Sequence, residues 1–157
     1  MINSGKILLW GFFLNLGNLN AQSNKDLNWI FLIDEKIKIT YTTPEFIVTL
    51  SNDSTYKFRS EYYPGNLSMK MEHFEQLQSN NIKSIRINIL YYTNDRKQSV
   101  YHYLVNVPKG FFLERFLIFK IYNLSLRKYK KKFRPHFSNS EYAVQFESSN
   151  QQVLTPK

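Results

Sequence analysis

The sequence predicts a mainly β domain, an antiparallel β-sandwich with one short helix near residues 68–78. Three observations predict it. Apolar residues alternate at period 2 through most of the chain. Aromatics make up 17% of it, with 13 Phe and 11 Tyr, and such rings pack well on a pleated surface. Turn clusters such as "SNDS" (Ser51 to Ser54), "PGN" (Pro64 to Asn66) and "TNDRKQ" (Thr93 to Gln98) break the pattern at short intervals.

The elements follow in order. "NWIFLID" is apolar on both faces, as a buried strand is, and Asp34 and Glu35 turn the chain. "KIKITY" alternates Ile37, Ile39 and Tyr41 against Lys36, Lys38 and Thr40. In "EFIVTL", after Pro44, the residues Phe46, Val48 and Leu50 share a face. "TYKFRSEYY" supplies Tyr56, Phe58 and then Tyr62 or Tyr63 before the Pro64 stop. "LSMKMEHFEQLQSNN" reads as the one helix: Ser68 can cap it, and Met71, Phe74 and Leu77 share a face. Glu72 and Glu75 suit the positive end of its dipole.

The clearest hairpin comes next. Ile85, Ile87, Ile89 and Tyr91 face Tyr101, Tyr103, Val105 and Val107, with His102 outward and Arg86 or Asn88 expected across from it. The spacing of "FFLERFLIFKIYNLS" tolerates a helix, but Phe, Ile and Tyr dominate, so Phe116 to Tyr122 reads as a buried strand, and "SEYAVQFESS" as a final one. Seven or eight strands with one helix give the sandwich an immunoglobulin-like outline, without the Cys–Trp–Cys signature of true immunoglobulin domains. An open β-barrel is the alternative.

A chain of 157 residues is one domain. Residues 1–21 read as a signal peptide, 22–148 as the β-sandwich domain and 149–157 as a flexible tail. In "MINSGKILLWGFFLNLGNLNAQS", one base, Lys6, precedes the apolar run Ile7 to Leu14, and a small-residue region ends at Ala21. Asn15, Asn18 and Asn20 interrupt the run well short of the about 20 apolar residues a spanning helix needs. Cleavage is expected after Ala21, or alternatively after Ser23. The expected location is periplasmic or extracellular, with membrane contact only through the signal peptide before cleavage.

The net charge is +9, and seven bases lie between Lys120 and Arg134 without an acid among them. Outside that window, bases and acids nearly balance. The segment "LRKYKKKFRPHF" mixes these bases with Tyr129, Phe133 and Phe137. On a strand, Arg127, Tyr129, Lys131 and Phe133 would share one face, and Lys128, Lys130, Lys132 and Arg134 the other. Exposed aromatics among cations can stack on bases or sugar rings while the cations meet anions. Alternatively, Tyr129 and Phe133 plug into the core, and the lysines form a solvated edge that blocks sheet-to-sheet pairing.

The "LNAQS" end of the export segment together with "FKIYNLSLRKYKKKFRP…EYAVQFE" resembles small exported proteins of Bacteroidetes type, most of them without assigned function. The resemblance covers the signal and roughly the last third of the chain. It implies an envelope or secreted β-sandwich and carries over no activity and no catalytic residue.

Chemistry has few footholds elsewhere. The chain has no Cys, which excludes disulfides, thiol catalysis and thiolate metal sites. His73, His102 and His136 show no metal-ligand spacing. Glu72 with Glu75, Asp34 with Glu35, and Asp95 each fit a helix start or a turn better than a carboxylate pair for glycoside chemistry. No Gly-rich phosphate loop or nucleophile elbow is present. The N-x-S triplets at Asn52, Asn66 and Asn123 matter only where a secretory pathway glycosylates them.

The expectation is therefore an exported, non-enzymatic binding protein without cofactor or metal. Its candidate site is Arg127, Lys128, Tyr129, Lys130, Lys131, Lys132, Phe133 and Arg134, and its partner an anionic envelope polymer or a partner protein. Two alternatives stay open: an extracytoplasmic hydrolase acting on glycan, and a secreted nucleic-acid-binding protein, which the export signal disfavours.

Overall fold

The structure, a computed structural model, describes residues 23–38, 42–92, 99–133, 140–150 and 152–155. The first seven strands are β1 (Asn24–Leu27), β2 (Trp29–Ile33), β3 (Lys36–Ile37), β4 (Glu45–Leu50), β5 (Thr55–Arg59), β6 (Glu61–Tyr63) and β7 (Asn66–Lys70). Helix α1 (Met71–Gln78), β8 (Ile82–Tyr92) and β9 (Val100–Asn106) follow. A 3-10 turn (Lys109–Leu113), β10 (Leu117–Asn123), α2 (Arg127–Phe133), β11 (Tyr142–Ser148) and β12 (Gln152–Thr155) complete the chain. The fold is mainly β. Among the described residues three sheets form, in the orders β1-β7-β6, β12-β11-β10-β2-β3 and β5-β4-β8-β9, and none of them closes on itself.

Nearly every strand pair is antiparallel, as expected. The exception is β2 with β10, which run parallel at the centre of the five-stranded sheet, with Trp29, Phe31 and Ile33 beside Leu117, Phe119 and Ile121. All six side chains are buried. Strands apolar on both faces are the kind that parallel pairing buries, and two strands this far apart in sequence are not bound by a hairpin.

The helix begins later than expected. Ser68 does not cap it; Ser68 lies in β7, opposite Asp26 of β1 and Glu61 of β6. The cap position is Lys70, which makes no side-chain capping bond. Leu67 and Met69 are buried by strand alternation. A short helix is marginal alone, whereas β1 and β6 offer this segment backbone partners on both sides. Only Leu77 of α1 is fully buried, with Phe74 packed partly against the core.

The alternation in "KIKITY" is inverted where it is described. Ile37 is 52% exposed, and Lys38 is 5% exposed. The two-residue turn explains this. It pairs Ile33 with Lys36 and Leu32 with Ile37, and cross-strand partners share a face. Ile37 thus joins Leu32 on the outer side, while Lys38 faces inward. Lys38 Nζ donates to the Leu90 carbonyl at 2.9 Å and sits 5.4 Å from the centre of the Tyr91 ring. Burial lowers its pKa.

The predicted hairpin forms as β8 and β9, with Ile89 opposite Tyr103 and Ile87 opposite Val105. His102 stands across from Leu90, not Arg86 or Asn88. The buried faces set that register, because a slip would expose the isoleucines. Twelve strands are described where seven or eight were expected. β1 and the β6–β7 pair had no clear alternation of their own to announce them. Gln152–Thr155, within the segment expected as a tail, pairs with β11.

Most buried side chains of all three sheets belong to one cluster, while Tyr122 of β10 and Ala143 of β11 join a second, smaller one. Phe112 of the 3-10 turn joins two of the sheets, 5.0 Å from Trp29 and 6.1 Å from Phe46 between ring centres. The third sheet joins through Tyr62, whose ring lies 4.3 Å from that of Phe31. The Phe31 N–H donates to the Tyr62 hydroxyl at 3.0 Å, and the Gly65 N–H to the Trp29 carbonyl at 3.1 Å. The β6–β7 turn so covers the edge of β2 that two-residue β3 is too short to pair. Gly65 has φ +86°, a left-handed conformation that glycine adopts without strain.

Residues 1–22, and with them the expected signal peptide, lie outside the described residues, as do Ile39 to Tyr41, Asp95, Arg134, His136 and Phe137.

Candidate functional site

The basic segment is a helix, not a strand. After β10, the Asn123 Oδ1 accepts the Ser125 N–H at 2.9 Å, and the Leu126 N–H donates to the Asn123 carbonyl at 3.2 Å. That Asx turn redirects the chain into α2. Lys and Arg are good helix formers. Tyr129 and Phe133, four apart, land on one side. Lys130, Lys131 and Lys132 fall in the last turn, where the dipole favours cations. Strand alternation would have placed Lys131 between Tyr129 and Phe133; the helix separates it from them.

The two aromatics belong to the interior. Tyr129 is 2% and Phe133 3% exposed, in a small cluster with Tyr122, Leu124 and Ala143. Their rings lie 5.0 and 4.8 Å from that of Tyr122. They anchor α2 to β10 and β11 and present no face for stacking on a ligand.

The cations divide into two sets. Lys128 pairs with Glu35 at 3.2 Å and lies 4.3 Å from the centre of the Tyr129 ring. Its contacts with Tyr129 and then Glu35 raise its pKa. Lys132 covers Phe133 and Tyr122, 5.1 and 5.8 Å from their ring centres. Arg127, Lys130 and Lys131 are exposed and, at spacings of three and four, share the opposite face of the helix. None of the three forms an ion pair with a described acid. Arg134 lies outside the described residues.

Beside α2 opens a cleft of about 750 Å³, lined by Tyr101, His102 and Tyr103 of β9, Asn123 and Ser125, Lys130 and Tyr142. A second of about 310 Å³ adjoins it and shares Tyr101, Tyr103, Asn123 and Ser125, adding Asp34, Tyr91, Leu126 and Lys128. Burial, and then the Asp34 charge, pushes the Tyr103 phenol far above its ordinary pKa. Burial also raises Asp34, against the lowering effect of the Asn123 N–H, which donates to its carboxylate at 2.8 Å. The tyrosines were legible as strand residues. Their meeting with the β10–α2 turn was not, because no sequence signal placed β9 against β11.

The remaining candidates stay apart. His73 stacks on Phe58 with ring centres 4.2 Å apart, and His102 is exposed on β9. Among the described residues no three His, Asp or Glu gather as metal ligands. Glu72 pairs with Lys70 at 3.8 Å and Glu147 with Lys120. No helix of the described residues is long and apolar enough to cross a membrane. Compared with known proteins, the chain gives no significant match to a family model, a curated sequence or a solved structure.

Proposed function

We propose that this chain is an exported, non-enzymatic binding protein that holds an anionic polymer of the cell envelope against the outward face of α2. The observation that carries the reading is the set Arg127, Lys130 and Lys131. Like charges at these helix spacings repel, by roughly 0.2–0.5 kcal/mol per pair. Nearby acids offset such repulsion elsewhere on this surface, as at Lys128 with Glu35, Lys57 with Glu45 and Lys83 with Asp53. Here three cations stand together without a described acid, on a helix fixed by two buried rings. A polyanion would relieve the repulsion.

The rest of the reading draws on other features. The Lys6, apolar run and Ala21 layout supports export. A sandwich of immunoglobulin-like outline is supported by the main core cluster, which draws on all three sheets, and by the bonds between edge strand β9 and β11. Local structural work for Asp34, Glu35, Glu72 and Glu147 favours binding over hydrolysis. Burial of Tyr129 and Phe133 removes the stacking rings that a nucleic-acid reading would use.

The test is charge reversal. The variant with Arg127, Lys130 and Lys131 each changed to Glu should lose retention on a sulfated-polysaccharide column. A variant with Lys57 and Lys83 changed to Glu should keep most of it. Equal loss per charge reversed would mean that net charge alone binds and would overturn the site.

A further inference from the structure

The two clefts share a platform. Tyr101 and Tyr103 alternate on one side of β9, their rings 8° from parallel and 6.2 Å apart between centres. Tyr142 meets Tyr103 edge-on at 5.2 Å and closes one side. Tyr103 is 3% exposed, and its hydroxyl is buried without a hydrogen-bond partner among the described residues. A buried hydroxyl left unpaired is costly, so a donor or acceptor brought to it gains more than one offered to an exposed group.

The groups around the platform are of three kinds. Asn123, Ser125 and Ser140 bond hydroxyls, the carboxylates Asp34 and Glu141 accept from them, and Lys130, with Lys128 beside its partner Glu35, bonds anions. Pockets that join aromatic walls to a few converging polar groups are the usual form of small-ligand sites. A pyranose fits this set: its C–H face lies on a ring, its hydroxyls project at the edge, and an acidic sugar adds one anion. Lys130 belongs both to the exposed cationic face of α2 and to the lining of the larger cleft.

We propose that the joined clefts are a saccharide site for an acidic glycan, with sugar rings on the Tyr101 platform, hydroxyls on Asn123 and Ser125, and a carboxylate or sulfate on Lys130. The proposal rests on the anionic-polymer reading of α2 and adds the sugar to it.

Calorimetry on the exported protein separates the two. The probes are a sulfated, uronic-acid-containing tetrasaccharide, a neutral glucose tetrasaccharide and inorganic polyphosphate. Ser125→Trp places a bulky ring in the cleft from an exposed position; Tyr101→Ala removes the platform, with thermal unfolding as a check on folding. Each should weaken the acidic tetrasaccharide by about tenfold, as the loss of one ring contact can. Neither should change polyphosphate binding by more than about twofold, well within 1.4 kcal/mol. The Arg127→Glu, Lys131→Glu double variant should weaken polyphosphate by about tenfold or more, and the acidic tetrasaccharide by less. If Ser125→Trp leaves the acidic tetrasaccharide unaffected while the double variant weakens polyphosphate, the groove is idle and only the saccharide proposal falls. Equal affinity for the neutral tetrasaccharide would overturn the acidic specificity. Polyphosphate binding untouched by the double variant would overturn the α2 reading itself.

Discussion

One hydroxyl holds both backbone groups of a residue in another sheet: Tyr142 accepts the Leu104 N–H at 2.9 Å and donates to the Leu104 carbonyl at 2.7 Å. Leu104 lies in β9, the outer strand of the four-stranded sheet, and Tyr142 opens β11 in the five-stranded one. An outer strand exposes unpaired N–H and C=O groups, and here a side chain from the next sheet serves them. Tyr142→Phe keeps the ring but strands both groups. It should cost about 1–3 kcal/mol in urea unfolding and speed hydrogen exchange at the Leu104 amide. Unchanged exchange there would mean that the bond bears no load.

The β2–β3 turn carries strain that can be relieved. Asp34 and Glu35 have φ of 52° and 69°, the double left-handed geometry of a tight hairpin that favours Asn followed by Gly. Glu35→Gly should raise stability by about 1 kcal/mol, and its exposed pairing with Lys128 offsets little of that. A lower denaturation midpoint would contradict the strain argument.

Asp34 gives the same turn a pH dependence. Burial raises its pKa above 3.8, so the folded state holds the proton more tightly than the unfolded chain. Stability should therefore fall as pH rises from about 3.8 through the raised value. Asp34→Asn keeps an acceptor for the Asn123 N–H and tolerates the positive φ. Urea midpoints of this variant should lack that fall and match or exceed the wild type at pH 7. A parallel fall in both proteins would assign it to another group.

Five tyrosines predict the alkaline limit. Burial raises the pKa of Tyr56, Tyr62, Tyr103, Tyr122 and Tyr142 above 10.0. Above pH 10 the unfolded chain releases phenolic protons that the folded one retains, so stability falls with rising pH. The tyrosinate absorbance of these five, out of 11 Tyr, should appear only together with unfolding. Full tyrosinate absorbance with the fold intact would contradict this burial.

The start of α1 discriminates between the two cuts of the proposed export segment. The Met71 N–H donates to the Ser23 carbonyl at 2.9 Å, so Ser23 satisfies a helix N–H that no side chain caps. Cleavage after Ala21 preserves that bond, and cleavage after Ser23 removes it. Mass spectrometry of the chain expressed with its proposed export segment should find Gln22 as the first residue. A chain beginning at Asn24 would contradict this assignment, and one that retains Met1 would contradict export processing.

The legible parts of this fold were those with their own pattern. The Ile85 to Tyr91 and Tyr101 to Val107 faces announced themselves by period, and the run of β10, whose spacing also tolerates a helix, by its Phe, Ile and Tyr content. What escaped depended on partners. Ser68 has the chemistry of a cap but pairs as a strand residue because β1 and β6 flank it. The direction of Lys38 is set by turn register, not by its own alternation. The basic segment reads equally well at period 2 and at period 3.6 over seven residues, and only the waiting patch of Tyr122 and Ala143 selects the helix. Its charge was plain in the sequence. Which cations would be left without acids was not, because Glu35 lies far from Lys128 along the chain.

The central claim is that the Arg127, Lys130 and Lys131 face binds polyanions. The most direct measurement is affinity for an immobilised acidic polysaccharide as a function of salt, for the wild type and the triple Glu variant. Binding that neutralises a few anionic groups should weaken linearly on a log–log plot against salt, as counterion release requires. The variant should bind more weakly with a shallower slope. The same affinity and slope for both proteins would contradict the claim and leave this face as solvated surface.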